Sequence, residues 1–210
     1  MPATTDLRIR AARADDAAAL DDVCVRTGEA GGDATGHFER PELLADIWLR
    51  PYLALAPDLA FVLVGDDDVP VGYVLGVADT TAFEDECERR WWPALRQRLP
   101  RDAFPPGTRD AALVAMIHAP ERTAADVVER YPAHLHVDLL PHAQGGGYGR
   151  ALLEHLFAAL RERGVPGVHL GVGAANARAR AFYEHLGFEV LEEDAGGALL
   201  GLRLGPGGRP

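Results

Sequence analysis

Ala133-His134-Leu135-His136-Val137-Asp138-Leu139-Leu140-Pro141, then Gln144-Gly145-Gly146-Gly147-Tyr148-Gly149, then Arg150 to Arg163, is the run from which the architecture follows. Its first part alternates apolar and polar side chains as a strand does. In its last part Leu152, Leu153, Leu156, Phe157 and Leu160 share one helical face. Arg161 and Arg163 suit the C-terminal end of that helix, and Gly164 with Pro166 stops it. A strand that ends in a glycine loop and restarts as a helix aims several backbone N–H groups at one point, where the helix dipole also favours negative charge. The segment reads as a phosphate cradle.

Working outward toward the C-terminus, the pattern predicts a strand over 168–173, a helix over 176–186 and strands over 188–192 and 198–204. This implies a parallel β-α-β crossover. Toward the N-terminus, Leu7-Arg8-Ile9-Arg10 alternates like a short strand, and Asp15 or Asp16 is placed to cap a helix carrying Ala19, Leu20, Val23 and Cys24. Gly28 to Gly36 reads as a loop bordering a cleft, Pro41 to Leu53 as a second helix, and 60–64 with 71–77 as an antiparallel hairpin across Gly65-Asp66-Asp67-Asp68. Phe83 to Leu99 is expected to be helical, the apolar run Ala111 to Ile117 to be another strand, and Thr123 to Arg130 a short helix. Residues 1–204 are expected to form one domain, with 205–210 a disordered tail.

Composition narrows the function. The 210-residue chain has no lysine and no serine, and its only carboxamides are Gln97, Gln144 and Asn176. Two of the three fall in the stretch that looks chemical. A net charge of −11 disfavours a nucleic-acid partner and suits a cationic or neutral one. Cys24 and Cys87 have no metal or redox spacing. With no apolar leader or spanning segment, a soluble, unprocessed protein of a reducing cytoplasm is expected, and no membrane partner. Nothing in the pattern specifies an oligomeric state.

The glycine loop does not fit two common phosphate-binding signatures. A P-loop needs a lysine. A dinucleotide fingerprint begun at Gly145 or Gly147 finds Arg150 or Leu152 where its third glycine belongs. The second motif runs from Asn176 to Phe188: Asn176 suits a helix N-cap, Gly187 a C-terminal stop, and Ala179, Phe182, Tyr183 and Leu186 one stripe. On its own terms Asn176 is either only a cap or also a ligand contact, and Tyr183 either a core aromatic or a reactive phenol. His134, His136 and Asp138 share a strand face. They match three of the opening metallo-β-lactamase ligands, with Leu139 in place of the last histidine, but strand alternation alone produces such spacing and no metal is expected.

Together the two motifs resemble those of the GNAT N-acetyltransferase superfamily. Gln144, Gly147 and Gly149 match Gln/Arg-x-x-Gly-x-Gly/Ala, and Asn176, Ala179, Phe182, Tyr183, Gly187 and Phe188 match its later signature. Phe61-Val62-Leu63, Gly72-Tyr73-Val74-Leu75-Gly76, Trp91-Trp92-Pro93 and His134-Leu135-His136-Val137-Asp138 look more narrowly like the acetyltransferase-like domain of animal O-GlcNAc hydrolases and its free-standing bacterial relatives.

The resemblance implies an α/β fold with a mixed central sheet of about seven strands flanked by helices on both faces, and acetyl-CoA as co-substrate. It also implies direct transfer of the acetyl group to an amine on a small molecule or basic peptide. The backbone from Gln144 through Gly145, Gly146, Gly147, Tyr148 and Gly149 to Arg150 is expected to hold the pyrophosphate. Leu139 and Leu140 would lie along the thioester, Asn176 would steady the pantetheine, and Tyr183 would protonate the departing thiolate. Asp138 is the first candidate for the base or amine-orienting group and His136 the second, with a purely structural Asp138 the other reading. Because the hydrolase-linked domains are regarded as pseudo-enzymes, a non-catalytic acyl-CoA-binding or interaction module is the competing expectation.

Overall fold

The computed structural model describes residues 7–205. The N-terminal six residues and, apart from Gly205, the expected tail lie outside them. Seven strands form one mixed sheet in the order β1-β2-β3-β4-β5-β7-β6. They are β1 (Arg8–Ala11), β2 (Ala60–Val64), β3 (Pro70–Val77), β4 (Ala133–Leu139), β5 (Gly167–Gly173), β6 (Glu189–Glu193) and β7 (Gly197–Arg203). All neighbours run antiparallel except β4 and β5. That parallel pair is joined by the long helix α8 (Tyr148–Glu162), as a crossover requires.

The two faces of the sheet bury different partners, because strand side chains alternate. Tyr73, Leu75, Val62 and Val64 pack with helices α1 (Ala17–Thr27), α2 (Glu42–Trp48), α3 (Arg50–Leu55), α5 (Trp92–Arg98) and α6 (Arg109–His118). On the opposite face Leu63, Val74, Leu135 and Leu170 meet Leu152, Leu156 and Leu160 of α8 and Tyr183 of α9 (Ala177–His185). Gly76 lets α8 approach: a Cβ there would sit 2.7 Å from a Leu156 methyl.

Four local expectations are corrected. The run Ala111 to Ile117 is helical, within α6, not a strand. Thr108 caps it by accepting from Ala111 N at 3.2 Å, and Leu113, Val114 and Ile117 face inward at helical spacing while Met116 is exposed. The helix expected over Pro41 to Leu53 is two, since Leu49 leaves helical geometry at φ −127°, ψ −63° and Pro51 enters the first turn of α3. That expected over Phe83 to Leu99 is α4 (Thr80–Glu86), a π-helical turn over Cys87–Trp91, and α5. Asp16 occupies the N-cap position of α1, but its side chain makes no capping hydrogen bond there. Instead the Asp16 carboxylate accepts from Arg13 N at 2.7 Å and pairs with the Arg10 guanidinium. The predicted helix over Thr123 to Arg130 is α7 (Ala125–Arg130).

Candidate active site

Strands β4 and β5 bond to each other only at Ala133↔Val168 and His134↔His169, after which they diverge. Leu140 N–H donates to Val71 O at 2.9 Å, so antiparallel alternation turns the Leu139 N–H away from β3 and into the gap beside β5. Leu139 O points the same way and accepts from Gln144 Nε2 at 2.9 Å. The side chain of Gln144 thereby pins the end of the strand to the start of the glycine loop.

In that loop Gly145 and Gly147 take φ of +81° and +82°, a backbone that L side chains adopt at a cost, and open space lies where their Cβ atoms would be. Gly147 is the N-cap residue of α8. Ala151 N–H is the first amide of the helix to find a loop carbonyl, that of Gly147 at 3.0 Å. Among the described residues the N–H groups of Tyr148, Gly149 and Arg150 have no such partner, so they face outward at the positive end of a four-turn helix. These amides fit a diphosphate.

A cavity of about 750 Å³ begins at this loop. Of the residues singled out from sequence, Asp138, Leu139, Gln144, Gly145, Gly147, Gly149, Arg150, Asn176 and Tyr183 line it. Gly146 and Tyr148 belong to the loop without lining the cavity, and the Tyr148 ring packs beside Gly146. Leu140 is turned away from it: its N–H is committed to Val71 and its side chain is buried. His136 lies outside the lining, bonded to Tyr52.

Thr27, Val137, Ala175 and Arg178, to which the sequence reading gave no role, also line it, as do Ala179 and Phe182 of the second motif and Glu29 to Gly32 of the loop expected to border a cleft. Arg178 carried a legible signal, because a cation in the first turn of a helix opposes the dipole unless an anion comes to meet it. The loop after α1 thus borders the cleft as expected, whereas no residue of the 100–130 segment lines this cavity. The three tryptophans do not line it either; Trp92 is in the core, and Trp91 Nε1 donates to Asp46 O at 2.8 Å.

Asn176 does two things. Its Oδ1 accepts from Ala179 N at 3.1 Å, capping α9, while its Nδ2 faces Gly31 across the cavity. Tyr183, 8% exposed, has no hydrogen-bond partner for its hydroxyl among the described residues, and burial followed by the Asp138 charge pushes its phenol well up, keeping it protonated. Asp138 accepts from Tyr73 Oη at 2.7 Å; burial raises its carboxyl and that hydrogen bond partly offsets the rise. A proton donor and a proton acceptor therefore line the same cavity as the glycine loop.

Beside them, Tyr52 Oη lies 2.7 Å from His134 Nε2 and 2.9 Å from His136 Nε2. Burial holds both imidazoles neutral, His136 being pushed down to about 4 and His134 well below its ordinary value, with His136 and His169 adding to the latter. Their Nε2 atoms converge on a hydroxyl, and among the described residues there is no group of three or more His, Cys, Asp or Glu able to hold a metal ion. Nor is any helix of those residues long and apolar enough to cross a membrane.

The profile of the acetyltransferase (GNAT) family matches residues 31–188. The chain is similar to the protein O-GlcNAcase of Rattus norvegicus, 23% identical over 159 residues that cover 73% of this chain but only 17% of that protein. It is also similar to the mycothiol acetyltransferase of Nocardiopsis dassonvillei, 33% identical over 176 residues, covering 79% of this chain and 52% of that enzyme. The chain thus spans about a sixth and about half of the length of these two relatives. The crystal structure of SsHAT superposes with a TM-score of 0.89 at 44% identity, covering 95% of this chain and 98% of that one. With the family profile spanning β2 to β5, the glycine loop and α9, the chain belongs to the acetyltransferase (GNAT) family, whose co-substrate is acetyl-CoA.

Proposed function

We propose that this protein is a working N-acetyltransferase that binds acetyl-CoA and an amine together and transfers the acetyl group between them directly. The observation that carries the reading is that one cavity is lined both by the glycine loop with its outward-facing amides and by a protonated Tyr183 close to Asp138. The amides of Gly145 to Arg150, with Arg150 and Arg178 nearby, hold the diphosphate. Bound acetyl-CoA supplies the activated acetyl group. Leu139 N–H, directed into the gap between β4 and β5, donates to the acetyl oxygen, where negative charge develops. Asp138 draws in and orients a cationic amine, and Tyr183 supplies a proton to the departing thiolate. The acidic composition of the chain agrees with a cationic acceptor, a small amine or a basic peptide.

Titration calorimetry with acetyl-CoA, followed by acetyl-CoA-dependent release of free CoA across a panel of amines and basic peptides, tests this. Binding with release is expected. Binding without release on any amine marks a non-catalytic acyl-CoA module, and no binding at millimolar acetyl-CoA overturns the reading altogether.

A further inference from the structure

Thr80, Tyr52, His134 and His136 form a hydrogen-bond chain whose direction is fixed at one end. Thr80 Oγ1 lies 2.7 Å from Pro132 O. A carbonyl oxygen carries no hydrogen, so the single hydroxyl proton of Thr80 points at it, and Thr80 Oγ1 is left as an acceptor toward its other neighbour. That neighbour is His134 Nδ1 at 2.9 Å, which therefore carries a hydrogen. A neutral imidazole has only one, so His134 Nε2 is a lone pair and the Tyr52 hydroxyl proton, 2.7 Å away, goes to it. Tyr52 Oη is then an acceptor toward His136 Nε2 at 2.9 Å, and His136 must hold its hydrogen there. The direction set at Pro132 O passes through four side chains and leaves the Nδ1 of His136 as a lone pair. Among the described residues that atom has no hydrogen-bond partner, and His136 is partly accessible.

His136 sits two residues from Asp138 on the same face of β4, just past the point where β4 leaves β5, but is not itself part of the cavity lining. Resting on the acetyl-transfer reading above, we propose that His136 Nδ1 takes the proton from the attacking amine through an intervening water, and that Tyr52, His134 and Thr80 are positioning residues that hold it in the required tautomer. The amine nitrogen forms a bond to the acetyl carbon as the carbon–sulfur bond breaks. The amine, having shed its extra proton to solvent on entering the site, passes an N–H proton through that water to His136 Nδ1, and the thiolate receives its proton from Tyr183; after product leaves, the imidazolium releases its proton to solvent and the Tyr183 phenolate takes one up. Asp138 remains an anion throughout, holding the amine.

Histidine ¹⁵N labelling with long-range ¹H–¹⁵N correlation reads the tautomers directly, His134→Gln and His136→Gln assigning the two signals among the eight histidines. His134 is expected with its hydrogen on Nδ1 and His136 with its hydrogen on Nε2. In Tyr52→Phe, which keeps the ring and removes the bridge, His136 is expected to become a mixture of tautomers. Where turnover is found, His136→Ala should lower kcat by roughly 10²–10⁴-fold and Tyr52→Phe by a smaller factor, neither moving the KM for acetyl-CoA. Hydrogen on His136 Nδ1, tautomers indifferent to Tyr52→Phe, or an unchanged kcat in His136→Ala overturns the proposal. Absence of turnover on any amine overturns the acetyl-transfer reading, and with it the task given to His136, while leaving the tautomers as derived.

Discussion

Replacing Tyr183 by phenylalanine separates what this side chain does for the fold from what it does for the reaction. The ring packs with Phe182 and Phe188 at centroid distances of 5.4 and 5.5 Å, and the substitution keeps those contacts. The hydroxyl has no hydrogen-bond partner among the described residues, so no partner is orphaned when it goes. The change in stability should stay within about 0.5 kcal/mol, the usual range for substitutions that break no specific feature. The reaction loses its proton donor, and donors of this kind contribute roughly 10²–10⁴-fold, or about 3–5 kcal/mol at 1.36 kcal/mol per decade. Melting temperature, calorimetric affinity for acetyl-CoA and the rate of CoA release under saturating amine measure the three quantities on one preparation. A variant that melts and binds like the parent and also turns over within about threefold of it would refute the assignment of Tyr183 as the acid.

Gly147→Ala meets no atom within 4 Å, so its cost is confined to a left-handed backbone at φ +82°, about 1–2 kcal/mol; calorimetry should show acetyl-CoA affinity weakened by roughly five- to thirtyfold. Gly76→Ala drives a methyl against Leu156 at 2.7 Å in a packed layer and should cost about 1–3 kcal/mol in chemical denaturation, with no effect on the site. The buried imidazoles give a pH dependence with a definite sign. His136 and His134 stay unprotonated in the fold, whereas unfolded histidine binds a proton below about pH 6.5. Their contribution is therefore complete above that pH and is lost as pH falls toward 4, by up to about 1.4 kcal/mol per pH unit for each. Asp138, raised by burial, acts in the opposite sense. Melting curves between pH 7 and pH 4 should show the decline, and His136→Gln should flatten it.

What was legible in the sequence is what short-range pattern determines. The alternation of β4, the glycines at 145–149 and the apolar stripe of α8 are local signals, and the elements they imply are where the structure has them. The run Ala111 to Ile117 misled because seven nearly apolar residues carry no period, and the deciding cue was Thr108 three positions before its start. The break at Leu49 has no glycine to announce it; Pro51 in the next turn was the available signal. The site was legible where its residues lie in one segment, and closed to reading where they converge from afar. Nothing in the pattern brings Tyr52 to His134 and His136 across more than eighty positions, or sets Gly31 opposite Asn176. Those contacts depend on β3 lying between β2 and β4, a long-range fact.

The divergence of β4 from β5 leaves the sheet close to severed: four strands on one side, three on the other, and two residue pairs as the stitch. Cohesion across that seam falls to α8, whose Leu152, Leu156 and Leu160 share one buried cluster with Leu63 and Val74 from the first half and Leu170 and Leu200 from the second. The helix whose first turn meets the diphosphate is thus also the rivet between the halves, so a ligand gripped at its tip tightens the joint, and amide exchange along β5 should slow when acetyl-CoA is added.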